Sequence, residues 1–216
     1  MAIHEVEDLE SAADATRAKL GLWGQTPLDM MTIIVKMKHL GMIKNYRRVR
    51  DGDMPHDEAT YDSIDQILII PDRTFAAMNR GESRAQMTIA EEVGHVALGH
   101  QGVRHRTTDE SRTGRPDPEK LVKEIRREEA HARRFAAAFL APRAFVDDPR
   151  KLSAEELADH FNLSLTAARI RKEELEKLYR RKHDIKRPLP QGVFTFLKDA
   201  KKKGFDVKSI DDEDEP

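Results

Sequence analysis

Residues 87–100 read Met87-Thr88-Ile89-Ala90-Glu91-Glu92-Val93-Gly94-His95-Val96-Ala97-Leu98-Gly99-His100, or MTIAEEVGHVALGH. Upstream, Ser83 followed three residues later by Gln86 reads as a capping box, and Gly99 supplies a stop, so a helix is expected over 83–98. On a helix each residue turns about 100°, which leaves Glu91 and His95 about 40° apart on adjacent turns, able to converge on one ion. Glu92 projects beside them. Gly94, directly before His95, permits a close approach by a neighbouring element.

This spacing is that of the zincin helix written HExxH, in which two residues four apart hold zinc and the intervening Glu is the general base. The text here is EExxH, because Glu91 stands at the first ligand position. A carboxylate can bind zinc at about 2.0–2.2 Å, but it lowers the net charge at the metal and weakens its Lewis acidity. A set of two carboxylates and one imidazole also suits a harder ion such as manganese or magnesium. The chain has no cysteine, which excludes disulfides, thiol catalysis and thiolate ligands and leaves His and carboxylate as metal donors.

A third donor has to come from another helix. Asp117 followed by Pro118 is a helix start, and the pattern predicts a helix to Leu140, ending before Pro142. Leu121, Ile125, Ala132, Ala136 and Phe139 define its expected buried stripe. Glu129 falls within about 60° of the centre of that stripe, and His131 about 100° from it, on the flank. A carboxylate at position 129 is costly to bury unless paired or metal-bound. Spacing therefore favours Glu129 over His131 as third ligand, Glu128 passes the same test, and an ion pair of Glu129 with Arg133 is the plainer reading. His100 reads as a helix-end or surface residue.

Elsewhere, helical spacing is expected over about 6–20 and 28–40, the second with an inward stripe of Met30, Ile33, Ile34 and Met37 and a stop at Gly41. Residues 42–49 and 66–70 read as strands of a small sheet, joined by a polar connection over 50–63, and a brief helix is expected over 72–78. Residues 101–116 read as a long exposed loop. Beyond Pro149, two helices separated by a turn at Asn162 to Ser164 have a helix-turn-helix outline, with Leu157, Ala158, Phe161, Leu163, Ala167 and Ile170 as the expected interior. One more short helix is expected near 193–203.

Hydrophobic residues make up 38% and charged residues 36% of the 216, which describes a modest core beneath a heavily charged surface. No stretch approaches the roughly 18 uninterrupted apolar residues of a membrane span. The opening MAIHEVEDLE lacks the basic start and apolar stretch of a secretory signal, so a cytoplasmic protein is expected. The net charge of -1, from 38 basic and 39 acidic residues, gives no global field for attracting nucleic acid. Charge is segregated locally, with basic runs at 47–50 and 172–186 and an acidic, disordered end expected at 211–215.

Over residues 26–172 the sequence resembles the ImmA/IrrE family of metallopeptidases. PLDMMTIIVKMKHLGMIKNYRRV is similar to the family's opening helix and strand, and residues 87–100 are similar to its motif FTLAHELGHLLLGH, with Glu91 in place of the first His. EAHARRFAAAFLAP, residues 129–142, follows the frame of E-x-E-A-N-x-F-A-A-x-L-L-M-P, with Glu129 at the first Glu, His131 at the second and Arg133 at the Asn. The resemblance implies an α+β fold: a mostly helical zincin-like domain with a small sheet over 1–148, a helix-turn-helix-like segment packed on it over 149–182, and a C-terminal extension over 183–216. It implies a metal-dependent endopeptidase acting on a protein partner, an Xre-type helix-turn-helix repressor. Glu91, His95 and Glu129 would hold zinc, or manganese, and Glu92 would deprotonate the bound water. If the family's ligand is the second Glu, His131 replaces it just as Glu91 replaces a His.

Two other classes compete. One is a catalytically silent regulator that holds no metal and grips a repressor through the same cleft and the 153–181 helix pair. The other is direct DNA binding through residues 157–171 and the basic stretch after them, against which Glu173, Glu174 and Glu176 interrupt the basic face.

Overall fold

The computed structural model describes residues 6–100, 118–185, 189 and 191–205. The expected loop at 101–116 and the acidic end at 211–215 lie outside them. The fold is α+β and mostly helical, with one small mixed sheet.

Helix α1, Val6–Lys19, buries Leu9 and Ala13 and closes through Gly21, whose φ of 62° is the left-handed conformation that glycine adopts without cost. Helix α2, Met30–His39, starts where the Asp29 side chain accepts from Met31 N–H, and its stripe of Met30, Ile33, Ile34 and Met37 is buried as expected. The expected strand at 42–49 is shorter. Met42 N–H donates back to Met37 C=O to finish α2, so β1 spans Asn45–Val49.

Three strands form the sheet in the order β1-β3-β2, with β2 at Thr60–Asp62 and β3 at Ile67–Pro71. β3 pairs in parallel with β1 and antiparallel with β2, in a register that sets Tyr61 opposite Leu68. As the central strand, β3 buries Leu68, Ile69 and Ile70 in succession. β2 lies inside the segment expected to be a polar connection, because TYD is too short and polar to signal a strand by alternation.

Helix α3, Asp72–Asn79, leads to α4, Ser83–Ala97. The capping box expected at Ser83 and Gln86 does not form. Glu82 is the N-cap and Ser83 is already helical, while the Glu82 carboxylate is drawn away by Arg80 Nε at 2.8 Å. Helix α5, Pro118–Leu140, packs along α4 and α1. Its buried face carries Glu128, His131, Ala132, Phe135, Ala136 and Phe139, broader than the stripe expected from spacing, because two helices cover it rather than one.

Helix α6, Ala154–Phe161, has the capping box that α4 lacks, with Ser153 and Glu156 each accepting the other's backbone N–H. Asn162 turns the chain at φ 51° and donates to Gly81 C=O, and α7, Leu165–Lys182, follows. The expected interior holds at Leu157, Phe161 and Leu163. Ile170 departs from it: it is exposed, and Ala168, Arg171 and Leu175 face inward instead. The Arg171 guanidinium binds the Glu10 carboxylate and Ala141 C=O, so this polar group takes the interior position with its hydrogen bonds satisfied.

The chain divides into two compact units, residues 1–176 and 177–216. The helix-turn-helix-like pair up to Glu176 thus belongs to the first unit. The second contains α8, Gln191–Lys202, in which no residue is buried. Among the described residues no helix is long and apolar enough to cross a membrane.

Candidate functional site

Helices α4 and α5 meet at Gly94. A β-carbon there would lie 3.1 Å from Ala132 C=O and 3.2 Å from Ala132 Cα, so the two backbones touch. His95, the residue after Gly94, and Glu129, one turn before Ala132, face each other, with His95 Nε2 3.6 Å from Glu129 Oε1. The meeting of these two residues, expected from the sequence, takes place in the structure. The burial expected of Glu129 does not. Its side chain is 49% exposed, at the mouth of the cleft, while His131 is buried on the other side of α5.

His131 belongs to a row of imidazoles. The rings of His95 and His100 are 5.0 Å apart, those of His100 and His131 6.3 Å. His100, expected as a helix-end or surface residue, sits just past the helix end, where its backbone N–H donates to His95 C=O, and is buried; its Nδ1 lies 3.0 Å from His95 Nδ1, so one of the two nitrogens must carry the shared proton. Burial pushes the His95 pKa below the usual imidazole range, against the pull of Glu129, which favours neutral His95 near pH 7.

Glu92 lies deeper, on the side facing the sheet. Its Oε2 accepts the backbone N–H of Tyr61 at 2.6 Å, which ties α4 to edge strand β2. Burial pushes its pKa up to about 7; the Tyr61 hydrogen bond opposes the shift, and Glu129, Glu91 and Asp57 add to it. Glu92, His95 and Glu129, together with Asp57, Tyr61 and Asp62 from the sheet side, line an open cavity of about 520 Å³.

Glu91, the remaining expected ligand, is turned elsewhere. Its Oε1 lies 3.6 Å from Arg133 Nε on α5, and it does not line the cavity. Burial raises its pKa, and the Arg133 cation counters that rise. Thus Arg133, expected as a partner for Glu129, stands beside Glu91 instead. Among the described residues no three His, Asp or Glu side chains are grouped to hold a metal ion. A three-ligand zinc centre requires all its donors to point at one spot, and of the expected donors Glu91, His95, Glu129 and His131, His95 and Glu129 are the pair that face each other in the cavity. The donor set as it stands does not fit such a centre.

No protein-family model matches this chain, and no curated protein matches it. The site therefore has to be read from its own chemistry. Sequence reasoning missed the Tyr61 backbone, Asp57 and His100 as parts of it. Only His100 left a signal, five residues after His95 and therefore within reach of it past the helix end.

Proposed function

We propose that the protein is a regulator built on a peptidase-like scaffold, which binds a segment of a protein partner in the cleft between α4, α5 and β2 without cutting it. The observation that carries this reading is the Glu91–Arg133 pair. These are two of the positions at which the chain departs from the family it resembles, Glu for His and Arg for Asn. In the structure they face each other at 3.6 Å. The guanidinium, itself two-thirds exposed, offsets part of the charge of the carboxylate that stands at the first ligand position, in the place an ion would otherwise take. The partner class that the resemblance implies is an Xre-type helix-turn-helix repressor.

The decisive measurement is metal content of the purified full chain, before and after soaking with zinc and with manganese, alongside incubation with such a repressor. Far less than one metal per chain and an intact repressor are the expected results. Stoichiometric zinc, or cleavage that Glu92→Gln abolishes, overturns the reading.

Cleavage is the second reading, and one observation favours it. A carboxyl held near pKa 7 inside a cleft can take up and release a proton at neutral pH, which is what a general base requires. It would need Arg133 to release Glu91. Direct DNA binding through the helix-turn-helix-like pair has less support, because Arg171 is fully buried on Glu10 and cannot reach a phosphate from there.

A further inference from the structure

The described walls of the cavity between α4, α5 and β2 carry charge of one sign. Asp57, Asp62, Glu92 and Glu129 line it, and no Lys or Arg among the described residues does. Arginines of the surrounding elements are committed elsewhere: Arg73 to the carbonyls of Met54 and Asp57, Arg84 to Glu58, Arg133 to Glu91. Glu92 is half-buried with a single hydrogen bond, from Tyr61 N–H to Oε2, and it borders the cavity. A carboxylate at the edge of such a cavity can accept from a donor that enters it.

From this geometry we infer that the cleft receives an arginine side chain presented by a polypeptide segment of the partner. The inference rests on the partner-binding reading above and names what is bound. A guanidinium offers five donors in a flat fork, so it can bond Glu92 and reach Glu129 or Asp57 at once, which a compact ammonium does less well. Its methylene stem has Met54, Ala59 and Ile69 to lie against. At about 520 Å³ the space falls in the range of sites that enclose a drug-sized ligand, large enough for an arginine together with flanking backbone. A metal ion would need three convergent donors, which the described residues do not supply.

Calorimetric titration of the full chain with three probes tests this: acetyl-Ala-Arg-Ala-amide, the same peptide with citrulline, and free arginine amide. Citrulline keeps the shape and loses the charge. The arginine peptide should bind at least about tenfold tighter than the citrulline peptide, a difference of roughly 1.4 kcal/mol, and free arginine amide should bind more weakly than the peptide. Glu129→Gln and Asp57→Asn should each lower affinity for the arginine peptide while leaving the melting temperature unchanged. Equal binding of the arginine and citrulline peptides, or binding of neither, overturns the inference, and this comparison needs no variant to fold. Free arginine amide binding as tightly as the peptide would make the ligand a small molecule and overturn the polypeptide part. The regulator reading fails separately, on metal content and repressor cleavage, so the two failures can be told apart.

Discussion

Ala132 presents its carbonyl oxygen to the α-hydrogen side of Gly94, where a β-carbon would come within 3.1 Å of it. This contact fixes how closely α4 and α5 approach, and with it the separation of His95, one residue after Gly94, and Glu129, three residues before Ala132. Alanine at 94 gains about 1 kcal/mol in helix propensity. It must also push apart two backbones, since Ala132 O and Cα cannot rotate aside as a side chain can. Overpacking of this kind costs about 1–3 kcal/mol. We expect Gly94→Ala to be destabilising on balance in urea denaturation. A variant as stable as the wild type would mean that the helices shift freely, and that their contact does not set the cleft.

The Glu91–Arg133 pair also predicts how the cleft responds to a change of its charges. Replacing both residues, Glu91→His with Arg133→Asn, removes the internal cation and places an imidazole one turn from His95. The double variant should take up one zinc per chain by elemental analysis, where the wild type takes far less, and Arg133→Asn alone should gain only weak binding. If the double variant remains metal-free, these two residues are not what separates this cleft from a zinc centre.

How much of this was legible in the sequence follows from the range of the forces involved. Helix periodicity is local, so α1, α2, α4, α5 and the α6–α7 pair could be read from spacing, and the pairing of His95 with Glu129 from angle and frame. The burial of His131 and the exposure of Glu129 were not legible, because they depend on α5 being covered by both α4 and α1, and spacing along one helix does not say how many neighbours it has. β2 was missed for a related reason. A three-residue strand is made by its partner β3 and by Glu92 holding Tyr61 N–H, neither of which is local to it. Glu82 displaced Ser83 as N-cap because the choice between adjacent caps depends on where the preceding turn delivers the chain.

Arg171 and Glu10, 161 residues apart in sequence, form a buried ion pair that joins α7 to α1 and holds Ala141 C=O at the end of α5. Arg171→Met would leave the Glu10 carboxylate buried without its cation, at a cost of about 3–5 kcal/mol. Removing the charge on both sides, with Glu10→Gln and Arg171→Met together, should recover a large part of that loss, because the cost of the single change lies in the stranded charge. Denaturation of the two single variants and the double variant measures the coupling. Additive losses would show that the pair contributes no more than its packing.

Glu92 ties stability to pH with a definite sign. Its carboxyl has a pKa of 4.5 when free and about 7 in the fold, so the folded chain holds the proton more tightly. The stabilisation from this group is fully present below 4.5 and is lost as pH rises through about 7, reaching about 3 kcal/mol for a shift of this size. Gln at this position can still accept Tyr61 N–H and does not titrate. Glu92→Gln should therefore match the wild type in acid and become progressively more stable than it up to neutral pH, with the difference level above that. Urea denaturation of both proteins across this range gives the difference directly. Curves that run parallel from acid to alkaline pH would mean that Glu92 ionises as easily in the fold as in water, and that its carboxylate is not held in a desolvated cleft.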